Sequence, residues 1–131
     1  MKEFSVLAIL SVTTGRLLTR PKSPDDGNGI GQVYELLGWM TDDEQFTHQL
    51  PRFSEECKPW LERWFPDIAA ATDEVVAECE AGRVDKLCSD MVARFGETRN
   101  VGKIPRDDHD VIPAYDELVA MRGTDEGIVV L

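Results

Sequence analysis

The sequence predicts a mainly α domain of the α+β kind: one compact multi-helix unit over residues 1–131, with two or three short strands. Three observations carry this. Apolar residues recur at three- and four-residue intervals through most of the chain from Ile30 onward, the spacing that lays them on one helix face. Glycines, prolines and hydroxyl or acidic residues fall between those stretches, where helices stop and start. The length, 131 residues, suits a single domain that buries one core without metals or disulfides. The chain has no internal repeat and no low-complexity stretch.

"EFSVLAIL", residues 3–10, is nearly continuous apolar sequence and reads equally as a short helix or a buried strand. Thr13, Thr14 and Gly15 suggest a turn or a helix start. "TRPKSPDDGNGIG", 19–31, is a loop by its prolines, glycines and Asp-Gly and Asn-Gly steps. Ile30, Val33, Tyr34, Leu37 and Met40 then share a helix face. Thr41 with Glu44 has the capping-box pattern, and the helix it opens is expected to carry Phe46, Thr47 and Leu50 and to end at Pro51.

Ser54 caps the next expected start, with Cys57, Trp60, Leu61, Trp64 and Phe65 as a wide apolar stripe and Pro66 as its end. Thr72 caps "DEVVAECEAG", which stops at Gly82. Val84, Leu87, Cys88, Met91, Val92 and Phe95 form another face, closed by Gly96. "ETRNVGKIP" reads as extended. "DDHDVIPAYDELVAMRG" reads as a helix led by acids and a proline, and "GIVVL" as a last short strand.

Charge is the strongest compositional signal. The net charge is −11, and it is uneven. Residues 1–22 carry +3, residues 23–80 carry −11 and residues 81–131 carry −3. Direct contact with nucleic-acid phosphates is therefore disfavoured, and a basic protein partner is favoured. Cys57, Cys79 and Cys88 are odd in number and form no CxxC, as expected of reduced thiols. No apolar run approaches a membrane span, and "MKEFSVLAIL" does not read as a secretory signal. The expected location is the cytoplasm.

The candidate chemistry is sparse. His48 near Asp42, Asp43 and Glu44 has the makings of a general base, but Glu44 at i−4 already offers it a helical ion pair. His109 among Asp107, Asp108 and Asp110 offers metal-ligand types. Adjacent residues converge poorly on one ion, however, and the acids equally suit the helix start that follows. No metal site and no cofactor are assigned. The cysteines sit on helical apolar faces, where a thiol acts as a small hydrophobe. "GNGIG", 27–31, lacks the spacing of a phosphate loop. "TTGR", 13–16, combines hydroxyls, a glycine and an arginine at a turn, a grouping able to hold an anion. Arg16, Arg20 and Lys22 form the only basic cluster.

"FSVLAILSVTTGRLL", "VYELLGWMTDDEQFTHQLPR" and "ECKPWL" resemble an uncharacterised family of small proteins encoded by tailed bacteriophages and prophages. Its pattern is T-T-G-R-L-L, then Y-x-x-L-x-x-M-T-x-D, then F-T-H-Q-L-P-R. The likeness extends more loosely to "DDHDVIPAYDEL" and the apolar C-terminus, and "PKSPDDGNG" stands as an insertion within it. The resemblance implies a phage or prophage source and an accessory rather than a virion role.

Together these readings lead to one expectation and two alternatives. The expectation is a non-enzymatic, anti-CRISPR or other anti-defence inhibitor that covers a basic surface of a host nucleic-acid-handling protein. Asp42, Asp43, Glu44, Glu55, Glu56, Glu62 and Asp67 would supply charge, and Trp60 or Trp64 an anchor. The first alternative is an enzyme or a binder of a small molecule or nucleotide, with Thr14, Arg16, Gln49 and Arg52 as ligand-binding residues and His48 or Thr14 as base. The second is a homodimer through the Trp60–Phe65 face.

Overall fold

The opening apolar run holds both of the structures that its composition allows. Lys2–Ser5 form strand β1 and Val6–Thr14 form helix α1. Ser5 makes the switch: its backbone is extended (φ −61°, ψ 137°) and its hydroxyl accepts the Leu7 N–H at 3.1 Å, an N-cap that satisfies one orphan donor of the first turn. The structure, a computed structural model, describes residues 1–19, 29–44 and 47–109.

Helix α1 is apolar on nearly every side, the mark of a central helix. Val6, Ile9 and Leu10 are fully buried, and α1 packs against four of the helices that follow. Its few polar groups are satisfied internally. The Ser11 hydroxyl donates to the Leu7 carbonyl, and those of Thr13 and Thr14 donate to the Leu10 carbonyl. Thr13, Thr14 and Gly15 end this helix rather than starting one. Gly15 is left-handed (φ 71°) and donates its N–H to the Ser11 carbonyl, the usual glycine stop.

The Leu18 N–H donates to the Ser11 hydroxyl, and the Thr19 hydroxyl donates to the Gly29 carbonyl. The expected 19–31 loop lies mostly outside the described residues. Helix α2, Ile30–Thr41, buries Val33, Leu36, Leu37 and Met40, close to the face its spacing predicts.

The T-x-x-E pattern does not open a helix. Thr41 is the last residue of α2, its hydroxyl donates back to the Leu37 carbonyl, and Asp42 takes the left-handed C-cap (φ 55°), a conformation that aspartate tolerates. After a 3₁₀ turn at Thr47–Gln49, helix α3 runs from Leu50 to Trp64. Pro51 therefore starts a helix rather than ending one, since its missing N–H is not needed in the first turn. Ser54 and Pro59 lie inside α3.

Pro66 both ends and starts. It forces Phe65 out of the helical region (φ −128°, ψ 69°) and then leads the short helix α4, Pro66–Ala70, because the residue before a proline avoids the α conformation. Helices α5, Thr72–Glu80, and α6, Val84–Phe95, follow with Gly82 between them at φ 79°. Strand β2, Thr98–Val101, returns antiparallel to β1 and pairs Lys2 with Val101 and Ser5 with Thr98. The expected helix after Pro113 and the C-terminal strand lie outside the described residues.

The result is mainly α: six helices and a two-stranded sheet among the described residues. Phe53, Leu61, Ile68, Val75, Leu87 and Met91 join the α1 and α2 side chains in one apolar core. No helix among the described residues is long and apolar enough to cross a membrane.

Candidate functional site

Helix α3 presents two kinds of surface. Phe53, Cys57 and Leu61 face the core. Arg52, Glu56, Trp60 and Trp64 recur every four residues and form a second ridge. The segment after β2 lies along this ridge. Gly102 sits beside the Trp64 ring, the Trp60 indole N–H donates to Asp108 Oδ2 at 2.8 Å, and His109 reaches Glu56.

His109 is the centre of this contact. Its side chain is only 3 % exposed. Nδ1 lies 2.5 Å from Glu56 Oε1, and Nε2 lies 2.9 Å from Asp43 Oδ2. The ring meets the edge of Phe53 with centroids 4.7 Å apart. The network continues in both directions. Arg52 Nη1 donates to Glu56 Oε2 at 3.0 Å, and the Glu44 N–H donates to Asp43 Oδ1 at 2.8 Å. A neutral imidazole has one N–H and two nitrogens. Both contacts are therefore hydrogen bonds only when the ring carries both protons, or when one carboxyl keeps its proton and donates.

This geometry re-assigns several residues singled out by sequence. Asp43 and Glu56 hold His109, and Arg52 holds Glu56 and stacks over Phe53. His109 faces acids 53 and 66 positions away; among the described residues no group of histidine, cysteine and acids is placed to hold a metal ion, and Asp110 lies outside them. Asp42 bonds Lys103 at 3.0 Å, and Asp67 bonds Arg99 at 2.9 Å. Those cations, through their hydrogen bonds, hold both carboxyls below the usual carboxylate range. Glu44 and Glu55 are exposed and Glu62 is half-buried. None of these three has an ion pair among the described residues.

The alternative ligand set is brought together only in part. Arg16, Leu50 and Pro51 border one cavity of about 320 Å³, with Leu17, Ile30 and Val33 as apolar wall and Ser11 and Ser54 as hydroxyls. Thr14 is near in sequence, but its hydroxyl is engaged with the Leu10 carbonyl and the Arg16 N–H. Gln49 is buried, and His48 occupies the 3₁₀ turn. The continuous helix expected to pair Glu44 with His48 is not formed, since α2 stops at Thr41. Arg16 itself meets Glu80 at 3.4 Å, both side chains being largely exposed, so that pair is weak.

The cysteines are core residues. Cys57 and Cys88 are buried, and the Cys88 thiol lies 3.4 Å from the Leu18 carbonyl. Burial, aided by the Glu56 charge, pushes the Cys57 thiol up to about 12. It stays protonated at neutral pH and is a poor nucleophile. The face from Trp60 to Phe65, considered for a second copy, is largely engaged within the chain: Phe65 is buried, and both tryptophans lie under the segment 102–109.

The model of the family described as "Domain of unknown function (DUF7736)" matches residues 4–71, and the chain belongs to that family. The match runs from β1 through α4 and holds Arg16, Asp43, Arg52 and Glu56. It stops short of α5, α6, β2 and His109. No curated protein and no solved structure matches the chain.

Two predictions test this geometry. His109→Ala leaves two carboxylates without their common partner while Glu56 keeps Arg52, so unfolding free energy falls by about 1–2 kcal/mol and Trp60 fluorescence in the native state shifts as Asp108 loosens. Denaturant unfolding and emission spectra read both; a loss under 0.5 kcal/mol with an unchanged spectrum contradicts the network. Iodoacetamide at pH 8 should alkylate the half-buried Cys79 in the native protein and leave Cys57 unmodified until denaturant is added. Equal native rates at the two thiols would show Cys57 to be accessible.

Proposed function

We propose that this member of the DUF7736 family is an acidic binding protein that attaches to a basic surface on a nucleic-acid-handling protein and covers it. The observation that carries the reading is how the chain uses its cations. Arg16, Arg52, Arg83, Arg94, Arg99 and Lys103 are each tied to one of the chain's own carboxylates. With a net charge of −11, the surplus is acid, and Glu44, Glu55 and Glu62 belong to it. A protein that holds nucleic acid carries lysine and arginine where phosphate binds. An acidic globule competes for that surface, with fast and salt-sensitive association.

The sequence motifs T-T-G-R-L-L and F-T-H-Q-L-P-R support a phage or prophage source. An accessory protein of that source with this charge is suited to disarming a host defence complex, CRISPR effectors among them. Binding by surface charge asks for no catalytic group.

The test is capture of host proteins on the tagged chain at low and high salt, with identification by mass spectrometry. The expected result is one stoichiometric partner with a basic contact surface, released as salt rises. A partner held equally at both salts, or one with an acidic contact surface, contradicts the reading.

One observation favours a second reading. The cavity beside Arg16 has the size and apolar lining of a small-molecule site, with a cation at its rim. On this reading the ligand is a small molecule with an acidic group, such as a nucleotide. A panel of phosphorylated and carboxylated metabolites should then contain one that raises the melting temperature of the native chain but not of Arg16→Ala. Equal shifts in both proteins contradict it.

A further inference from the structure

The small sheet has an edge with bonding capacity to spare. Val6 donates its N–H to the Glu97 carbonyl at 2.9 Å, extending the register that pairs Ser5 with Thr98, Phe4 with Arg99 and Glu3 with Asn100. Directly opposed antiparallel residues alternate between bonded and non-bonded pairs. Val6·Glu97 is bonded, so Phe4·Arg99 is bonded and Ser5·Thr98 and Glu3·Asn100 are not. The Glu3 and Ser5 N–H groups and the Glu3 carbonyl therefore point away from β2. No backbone bond to them is found among the described residues.

A groove of about 440 Å³ runs along this strand. All four β1 residues line it, together with Gln32 and Glu35 of α2 and Glu97 before β2. Glu3, Glu35 and Glu97 have no ion-pair partner among the described residues. The groove's cation, Lys2, lies over the Phe4 and Trp39 rings, 5.4 and 5.9 Å from their centroids. The groove thus combines an open backbone edge with a surplus of negative charge.

We propose that β1 accepts an extended, lysine- or arginine-bearing segment of a partner protein by strand addition. Main-chain bonds to Glu3 and Ser5 would hold the segment, and Glu3, Glu35 and Glu97 would receive its cations. Four residues of β1 span about 13 Å, which suits a segment of three to five residues. This deepens the proposed function by adding a main-chain anchor for the basic partner to the outward acids Glu44, Glu55 and Glu62, and it rests on that reading for the partner's charge.

Ser5 provides a selective test. Its φ of −61° already suits proline, which removes the outward N–H. Ser5→Pro also removes the cap on α1, and Ser5→Ala controls for that loss because it keeps the N–H. The probe is a fluorescein-labelled Lys-Val-Lys-Val-Lys peptide, blocked at its C-terminus and read by anisotropy with the full chain. A version methylated at alternate backbone nitrogens cannot form the ladder.

The expected result is salt-sensitive binding to the native chain and to Ser5→Ala, with the Glu3 and Ser5 amide exchange slowed at least tenfold by saturating peptide. Binding to Ser5→Pro should fall at least tenfold, and the methylated peptide should not bind. No binding to the native chain, or equal binding by the methylated peptide, overturns the proposal whether or not Ser5→Pro folds. A host partner captured equally by native and Ser5→Pro chains sinks the edge and leaves the proposed function standing. Peptide bound at the edge with no basic partner captured does the reverse.

Discussion

A buried imidazole set between two carboxylates is the contact on which the arrangement around α3 depends. Asp43 follows α2, Glu56 lies on α3 and His109 lies in the segment after β2. One ring therefore joins three parts of the chain that are far apart in sequence. Losing the ring would take a shared partner from both acids, although Glu56 would keep Arg52, and breaking a buried contact costs more than losing a surface pair. The exposed pairs Arg99–Asp67 and Lys103–Asp42 repeat the theme more weakly. They stitch β2 and the segment beyond it to α4 and to the end of α2.

This use of cations shapes what the surface can do. The chain has 14 basic and 25 acidic residues; Arg16, Arg52, Arg83, Arg94, Arg99 and Lys103 meet its own carboxylates, and the charge left over is acidic. Acids that brace the fold and acids that face outward are then different sets. Asp42, Asp43, Glu56 and Asp67 belong to the first, and Glu44, Glu55 and Glu62 to the second. Sequence reasoning placed all seven in one partner-binding group, because charge alone does not show which carboxylates meet an internal cation.

Much of the fold was legible. The faces of α2 and α6 follow from apolar spacing, and Gly82 and Gly96 mark helix ends, whereas Gly15 closes a helix where the sequence suggests a turn or a start. Local signals failed where two readings of one residue compete. Pro51 suits the first turn of a helix as well as the residue after one, and the chain uses it for the start. Thr41 and Glu44 match a capping box, but Met40 must be buried, which carries α2 on to Thr41 and leaves Asp42 to take the left-handed turn. The role of His109 was not legible, since its partners are 53 and 66 residues away and its acidic neighbours suggested a helix start. The available clue was the Arg52, Glu56, Trp60, Trp64 ridge, whose mixture of charge and large aromatics at four-residue spacing suits an intramolecular strap better than bare solvent.

The central claim is that bracing and outward-facing carboxylates have separate jobs. One comparison tests it most directly: folding stability and partner capture measured side by side for Glu44/Glu55/Glu62→Gln and for Asp43/Asp67→Ala. The account predicts a crossed result. The first variant keeps its unfolding free energy within about 0.5 kcal/mol and captures less of the partner, while the second loses stability and, while folded, captures as much as the native chain. Parallel effects of the two variants on both measurements would contradict it.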